Sequence, residues 1–506
     1  MSTVNKYAIY RHLGIEAHGS PSPEHASVDV VSEEAKLHKR ADMTWKDHLV
    51  MLLQIGAEIE HSLMVQYLYA AYSLGGDNVP ADQQKMVRGW QADILAVAKE
   101  EMGHLLTVQN ILMLIGAPIN LGRMNLPWDI EFYPFPFQLE RLSLDSVACY
   151  VYAEMPSEKE FAEAPKRSGG QLLGRYQRFE QKDRARIIER VSKRTTKRGA
   201  HRVGRLYREI MDLLGNSELI PDQMFEEKTY AFQSSRDDWG RGYQPRPRML
   251  DAEGSLVGEA QAEPGIRRAH VMVDRCATRL QATAALRALS HQGEAPLLAT
   301  KESDEHSHFD RFLKIYQQFD DLNGRWDPAR PVPTNPTTMR DPDAQDDKCY
   351  ISAQRSQEWA SLFNLRYRML LKYLAHTFQL ARTVPGDRPN LRAMVMHRVF
   401  GEMYNLKTIA GILVRLPQHD RANDPARAGP PFEIPYTLDL PVGELERWIL
   451  HRDLISSSRA LCEKLLDHPD TEERAYLATL RELDGQTDTW VERIIAGHVG
   501  AERMIP

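Results

Sequence analysis

The chain has 506 residues, 42% apolar and 26% charged, a composition ordinary for a globular protein. Its net charge of -6 comes from interspersed signs, which leaves no electrostatic footprint for nucleic acid or an anionic membrane surface. Cys149, Cys276, Cys349 and Cys462 show no C-x-x-C spacing and read as free thiols in a reducing compartment, not as a disulfide framework.

The first residues lack the continuous apolar stretch of a signal peptide, and no run of about 18 apolar residues occurs anywhere. The expected location is therefore cytoplasmic, with no nucleic acid and no membrane as partner. Residues 1–43 are polar, carry Gly, Pro and Ser, and read as an N-terminal arm. From Trp45 to Leu74 the apolar spacing is that of a long helix ended by Gly75-Gly76. A second helix is expected from Asp82 to Ile115, stopped by Gly116-Ala117-Pro118, so that the two make an antiparallel hairpin.

Residues 118–140 are rich in proline and aromatics and exclude a regular helix. Asp145–Glu154 reads as a short helix ended at Met155-Pro156. The very basic stretch 163–200 is expected to be exposed, either as a solvated face or as a gate over a pocket. His201–Leu214 has an amphipathic pattern and 215–265 is loop-rich. A third long helix is expected over Val271–Gly293 and a fourth over Asp304–Phe319. The Pro-rich segment 327–343 then leads to helical patterns at 355–382, 390–415, 442–467 and 471–497. The expected fold is all-α: a four-helix bundle over 44–325 carrying an insertion at 118–265. A C-terminal helical region, 344–506, is expected to pack on it.

Two motifs carry the chemistry. Glu101-Met102-Gly103-His104 and Glu305-His306-Ser307-His308 are both E-x-x-H. On a helix this i, i+3 spacing puts a carboxylate and an imidazole on one face. Two such pairs, with one glutamate from each of two further helices, make a di-iron or di-manganese carboxylate site inside a four-helix bundle. Hard carboxylates can bridge two cations while imidazole completes the sphere.

The first helix supplies Glu60, which shares its face with Leu53, Gly56, Ala57, Leu63, Met64 and Tyr67. A carboxylate amid an apolar stripe is costly unless paired or bound to metal. Glu58 lies nearer Gln54 and Ser62 and is easier to solvate. On the second helix Glu101 and His104 align with Ile94, Val97, Ala98, Leu105 and Val108. Glu305 and His308 precede Phe309, Phe312, Ile315 and Phe319. For the third helix the expected ligand is Glu294, with Glu209 as the alternative carboxylate. Tyr67, two turns from Glu60, is a candidate hydrogen-bond donor or electron source behind the ligands; its plain alternative is a core tyrosine. Each acid taken alone could be an ordinary helix carboxylate, and the cluster 302–310 could be a solvated helix start.

A further set of segments follows in order: Glu58-Ile59-Glu60-His61 through Tyr67-Leu68-Tyr69-Ala70-Ala71-Tyr72-Ser73; Glu100-Glu101-Met102-Gly103-His104 with Asn110; Glu154-Met155-Pro156; Gly204-Arg205-Leu206-Tyr207; Gln292-Gly293-Glu294; His308-Phe309 with Arg311-Phe312; and Ala428-Gly429-Pro430-Pro431-Phe432. Over 45–450 this series resembles the ferritin-like family named for the iminophenyl-pyruvate dimer synthase of violacein biosynthesis. The resemblance implies a ferritin-like helical bundle with a non-haem metal site and a place in bacterial secondary metabolism. It carries over Glu60, Glu101, His104, Glu294, Glu305 and His308 as ligands. Two departures stand out: Arg205 where an acidic residue is expected, and Ala295 where glycine is.

The activity expected from these readings is that of a di-iron oxygenase or oxidase acting on a small amino-acid-derived or aromatic metabolite. The cofactors would be two iron ions, with manganese as the other option, and dioxygen as co-substrate. No flavin or ferredoxin motif occurs, so a separate reductase would supply electrons. Imine coupling is the alternative enzymatic reading, and iron storage, peroxide scavenging or a vestigial scaffold are the non-enzymatic ones. The oligomeric state is open, a homodimer among the options.

Overall fold

The computed structural model describes residues 14–15, 37–128, 135–156, 170–194, 203–239, 248–250, 256–259, 271–294, 307–340, 348–382, 390–435, 438–468 and 472–502. Among them helices dominate, and the only ladders are two short antiparallel pairs, Gly14–Ile15 with Leu37–His38 and Arg248–Leu250 with Leu256–Glu259. The fold is all-α. The chain divides into two compact units, Met1–Ala329 and Arg330–Pro506.

In the first unit, helix α1 (Trp45–Ser73) starts at a capping box in which Thr44 and Asp47 satisfy each other's backbone donors. It ends where Gly75 and Gly76 take positive φ angles. α2 (Gln84–Leu114) returns beside it, and the two bury most of their surface together. α3 (Leu144–Ala153) opens on a Ser143/Ser146 capping box and stops three residues before Pro156. The basic stretch is helical where described: α4 (Gly170–Arg178) and α5 (Arg184–Ser192) join through a π-helical turn at Phe179–Asp183. α5 packs on α3 and buries Ile187 and Val191, so this part is not simply a solvated face. Arg178, Lys182 and Arg186 lie against Asp320 at the end of α8 (His308–Asp320). Residues 163–169 and 195–200 lie outside the described ones.

α6 (Val203–Gly215) packs on α1, with Leu206 and Tyr207 against Gly56. α7 (Arg279–Glu294) packs on α6 and, less extensively, on α8. The third long helix thus begins at Arg279, where the sequence pattern predicts Val271. The reason is a competing use of residues 271–276, which run extended across α2. Thr107 donates to the Met272 carbonyl (3.2 Å) and Asn110 to those of Ser234 (2.8 Å) and Asp274 (3.0 Å). A Cβ on Gly103 would meet the backbone N and O of Met272 at 2.9 Å, so the strap needs glycine there. An apolar Val-Met-Val run serves a strap as well as a helix.

The second unit holds α9 (Gln354–Thr377), α10 (Leu391–Leu413), α11 (Glu444–Leu466) and α12 (Arg474–Glu502). α9 packs on α10 and α11, and α11 on α12. No described helix is long and apolar enough to cross a membrane.

Candidate metal centre

Four helices of the first unit bring five chemistry-bearing side chains together. α1 supplies Glu60, α2 supplies Glu101 and His104, α8 supplies His308, and the residue just past α3 supplies Glu154. All five are at least 95% buried. His104 Nδ1 lies 2.8 Å from Glu101 and 3.5 Å from Glu60. His308 Nδ1 lies 3.0 Å from Glu101 and 3.8 Å from Glu154. The two imidazoles stack with ring centroids 5.4 Å apart. Glu101 is common to both groups, which could each hold a metal ion: Glu60, Glu101 and His104, and Glu101, Glu154 and His308.

Sequence reasoning missed Glu154 as a member. It stands just beyond a ten-residue helix, at Glu-Met-Pro, where a carboxylate reads as a helix end. The available signal was its i−4 and i−3 neighbours, Tyr150 and Val151, which put it on an apolar face. Glu294 is the last residue of α7, and its side chain is outside the described ones, as is the whole of Glu305. The α7 end nonetheless reaches the cluster: Gln292 Oε1 lies 3.0 Å from His104 Nε2. A Cβ on Gly293 would sit 3.2 Å from Glu154 Oε2. Glu209, mostly buried, lies 3.9 Å from Arg205 on its own helix and belongs to neither group among the described residues. Arg205, the departure noted in the sequence, thus has an acidic neighbour one turn away.

A ring of donors orients the acids. Tyr67 donates to Glu154 Oε1 (2.6 Å). Tyr207 from α6 donates to Glu60 Oε1. Tyr67, Tyr150 and Phe312 form an aromatic cluster with centroids 4.8 to 5.3 Å apart. Each such buried ring is worth about 1.5–3 kcal/mol of burial, which holds the Tyr67 hydroxyl in place. Behind His308, Nε2 donates to Glu100 Oε2 (3.0 Å), and Glu100 also accepts from Arg311 (3.0 and 3.1 Å).

The electrostatics are those of a crowded anion site. Burial, followed by the neighbouring Glu101 charge, pushes Glu60 up to about 7. Burial opposes ionisation of Glu101 too, yet His308 and His104 together hold it well below the usual carboxylate range. Burial likewise disfavours charged imidazoles, but the carboxylates outweigh it, raising His104 to about 10 and His308 well above its ordinary value. Glu60 Oε2, Glu101 Oε1 and His308 Nδ1 are buried and make no well-aligned hydrogen bond, although the last two lie 3.0 Å apart. Such atoms are costly unless something positive occupies the space between them. Oxygen-rich donors with one imidazole per group suit iron or manganese, and two cations offset the negative charge gathered here. The residues therefore fit a pair of metal ions.

Comparison with known proteins agrees with the fold. Residues 53–317 match the model of the ferritin-like family. The chain is 25% identical over 446 residues to the dichlorochromopyrrolate synthase of Lentzea aerocolonigenes, covering 80% of this chain and 37% of that protein. It is 32% identical over 152 residues to the 2-imino-3-(indol-3-yl)propanoate dimerase of Chromobacterium violaceum, covering 24% of this chain and 14% of that protein. Both relatives are enzymes by name, and the chain covers at most 37% of either one's length. No solved structure gives a significant match.

Proposed function

This chain belongs to the ferritin-like family, and from that premise we propose that it is a dimetal, oxygen-activating oxidase or oxygenase of secondary metabolism. Its substrate is a small amino-acid-derived or aromatic metabolite. One observation carries the reading: two buried acid–imidazole groups share Glu101, and Glu60 Oε2, Glu101 Oε1 and His308 Nδ1 have no well-aligned hydrogen bond.

Glu60 and His104 would hold one ion, Glu154 and His308 the other, and Glu101 would lie between them. Glu154 takes the role first assigned to Glu294. Glu305, three residues before His308, is proposed as the further carboxylate of the second E-x-x-H. The ions are iron, with manganese as the other option, and when bound they supply the capacity to reduce dioxygen with electrons from an external reductase.

The chain's own residues do the rest. Tyr207 and Tyr67 fix the outer carboxylates Glu60 and Glu154. Glu100 and Gln292 hold the imidazole Nε2 atoms outward, which leaves both Nδ1 atoms facing inward. Burial of all five groups excludes bulk water, which protects an oxidising centre from side reactions.

A second reading, coupling of two imino-acid units, is favoured by the similarity to the Chromobacterium violaceum dimerase. One set of experiments separates the two. Protein purified after growth with iron is expected to hold about two irons per chain, and its anaerobic ferrous form to change absorbance on meeting oxygen. Replacing Glu101 or His104 by alanine is expected to remove both properties. No stoichiometric metal, or no effect of the substitutions, would sink the dimetal reading. An imino acid generated in place by an amino-acid oxidase and converted to a product of doubled mass would move the assignment to coupling.

A further inference from the structure

In the second unit the last turn of α9 meets the first turns of α11 through a chain of three titratable side chains. Glu444 opens α11. Its carboxylate accepts from His376 Nε2 at 3.2 Å, and His376 Nδ1 lies 2.9 Å from His451 Nε2. Both imidazoles are fully buried. His451 Nδ1, the inner end of the chain, is buried with no hydrogen bond among the described residues. Tyr373 stacks on His451 at 4.5 Å, and Trp448 packs edge-on against His376 and His451 at 4.7 and 5.7 Å.

The carboxylate sets every hydrogen in the chain. An ionised acid only accepts, so His376 carries its hydrogen on Nε2 and leaves Nδ1 bare. That bare nitrogen takes the Nε2–H of His451, which leaves His451 Nδ1 bare in turn. Two neutral rings thus satisfy every imidazole donor, and the one atom left over is an acceptor. An added proton has no such place. At 2.9 Å the gap between the rings admits one hydrogen, so a cation shared by the pair must carry N–H at His451 Nδ1, where no acceptor stands among the described residues. Two cations would set N–H against N–H.

The surrounding charges do not relieve this. Of those that reach His451, Lys372 and a charged His376 oppose a proton there, and only Glu444 favours one. Glu444 stands at the far end of the chain and is shared with Arg447 at 2.8 Å. Lys372 is itself buried and bonded to the Asp439 carbonyl (2.7 Å), on the segment that leads into α11. Arg398 and Glu402 of α10, Arg366 of α9 and Asp484 of α12 reach Tyr373, the ring stacked on His451, with opposed signs. Burial first, then the two like charges, hold His451 well below the ordinary histidine value.

We propose that Glu444, His376 and His451 form a pH-sensitive latch, which fastens the end of α9 to the start of α11 while both rings are neutral and lets go when they take up a proton. Opening is local. Arg366 still ties α9 to Glu402 and Asp484 further back along the helix, and Arg392 of α10 still holds the Thr377 and Leu380 carbonyls at the end of α9. The folded chain binds the proton at His451 less readily than an unfolded one does. The latch's contribution is therefore complete above about pH 6.5 and is lost as pH falls below it. This device is independent of the dimetal reading.

The test is hydrogen–deuterium exchange on the full chain, read peptide by peptide and corrected for the intrinsic exchange rate. Between about pH 7.5 and about pH 5.5, residues 370–377 and 444–452 are expected to exchange about tenfold faster, the effect of one unit of differential protonation. Residues 395–413 of α10 should stay protected, and the peptide reading keeps protonation at the metal centre apart from this response. His451→Gln retains an amide N–H for His376 Nδ1 but takes up no proton, and should abolish the acid response. Lys372→Met removes a charge that opposes the proton and should shrink it, which keeps the test open if circular dichroism shows that His451→Gln does not fold. Equal exchange at both pH values, an acid response spread evenly over the whole chain, or one that the folded variants leave intact would overturn the latch.

Discussion

Both units bury carboxylates among helices, and the company those carboxylates keep differs. In the second unit Arg366, fully buried, spans Glu402 (2.9 Å) and Asp484. Asn405 adds a bond to Glu402 (3.2 Å) and Ser458 one to Asp484 (2.8 Å). Cation and anions close on each other there. In the first unit the buried acids face one another and two imidazoles, and several of their atoms are left without a hydrogen bond. Burial of charge is common to both; of the two clusters only the first has carboxylate oxygens without a hydrogen bond, whereas in the second the unbonded atom is Arg366 Nε. A buried ion network with its own arginine points to structure, whereas acids gathered around a gap point to a missing cation.

The comparison can be broken at its strongest point first. Arg366→Met leaves two buried acids uncompensated and should cost about 3–5 kcal/mol in urea unfolding. Metal uptake per folded chain should not change. If that variant lost metal but kept its stability, the division between a closed and an open cluster would fail.

A smaller effect is expected at the strap. Gly103→Ala places a methyl 2.9 Å from the Met272 backbone, which cannot rotate away as a side chain could. The expected cost is about 1–3 kcal/mol, read as a lower melting temperature. An unchanged melting temperature would show that the strap can shift freely.

The smallest effect is on pH dependence. In the metal-free chain Glu60 is raised to about 7 by burial and by Glu101, so the folded chain keeps a proton there that an unfolded one releases. Its contribution to stability is present below the ordinary glutamate range and is lost as pH rises through about 7. Metal must displace that proton and those on His104, raised to about 10, and His308, so apparent Co(II) affinity should rise from about pH 6 and go on rising above about pH 8. A flat profile would mean that the acids are already bare.

The part of this arrangement legible in the sequence was the part written in helical periodicity. The predicted span Trp45–Leu74 and the observed Trp45–Ser73 differ by one residue. Glu60, Glu101, His104 and His308 stood out because each interrupts an apolar stripe. Glu154 escaped because a helix of ten residues offers too few turns for an interruption to show, and Met155-Pro156 announces an ending. Tyr207 escaped for another reason. Its bond to Glu60 joins residues 147 positions apart, and no local pattern encodes such a contact. The strap over Gly103 is a third kind of case, since the glycine is visible in the sequence while what lies on it is not.

Asn110 holds the Ser234 and Asp274 carbonyls with one amide, and its own oxygen takes the Ser234 N–H (2.9 Å). The chain between those two residues therefore leaves and re-enters at a single clasp on α2, two turns from His104. Lengthening a loop closed in this way costs little, about 0.6 kcal/mol for each doubling. The part of the connection between Trp239 and Val271 can thus change length while the strap at 271–276 keeps its hold on the helix turn that carries Glu101 and His104. For anyone wishing to graft a new segment beside this centre, the clasp marks where to cut.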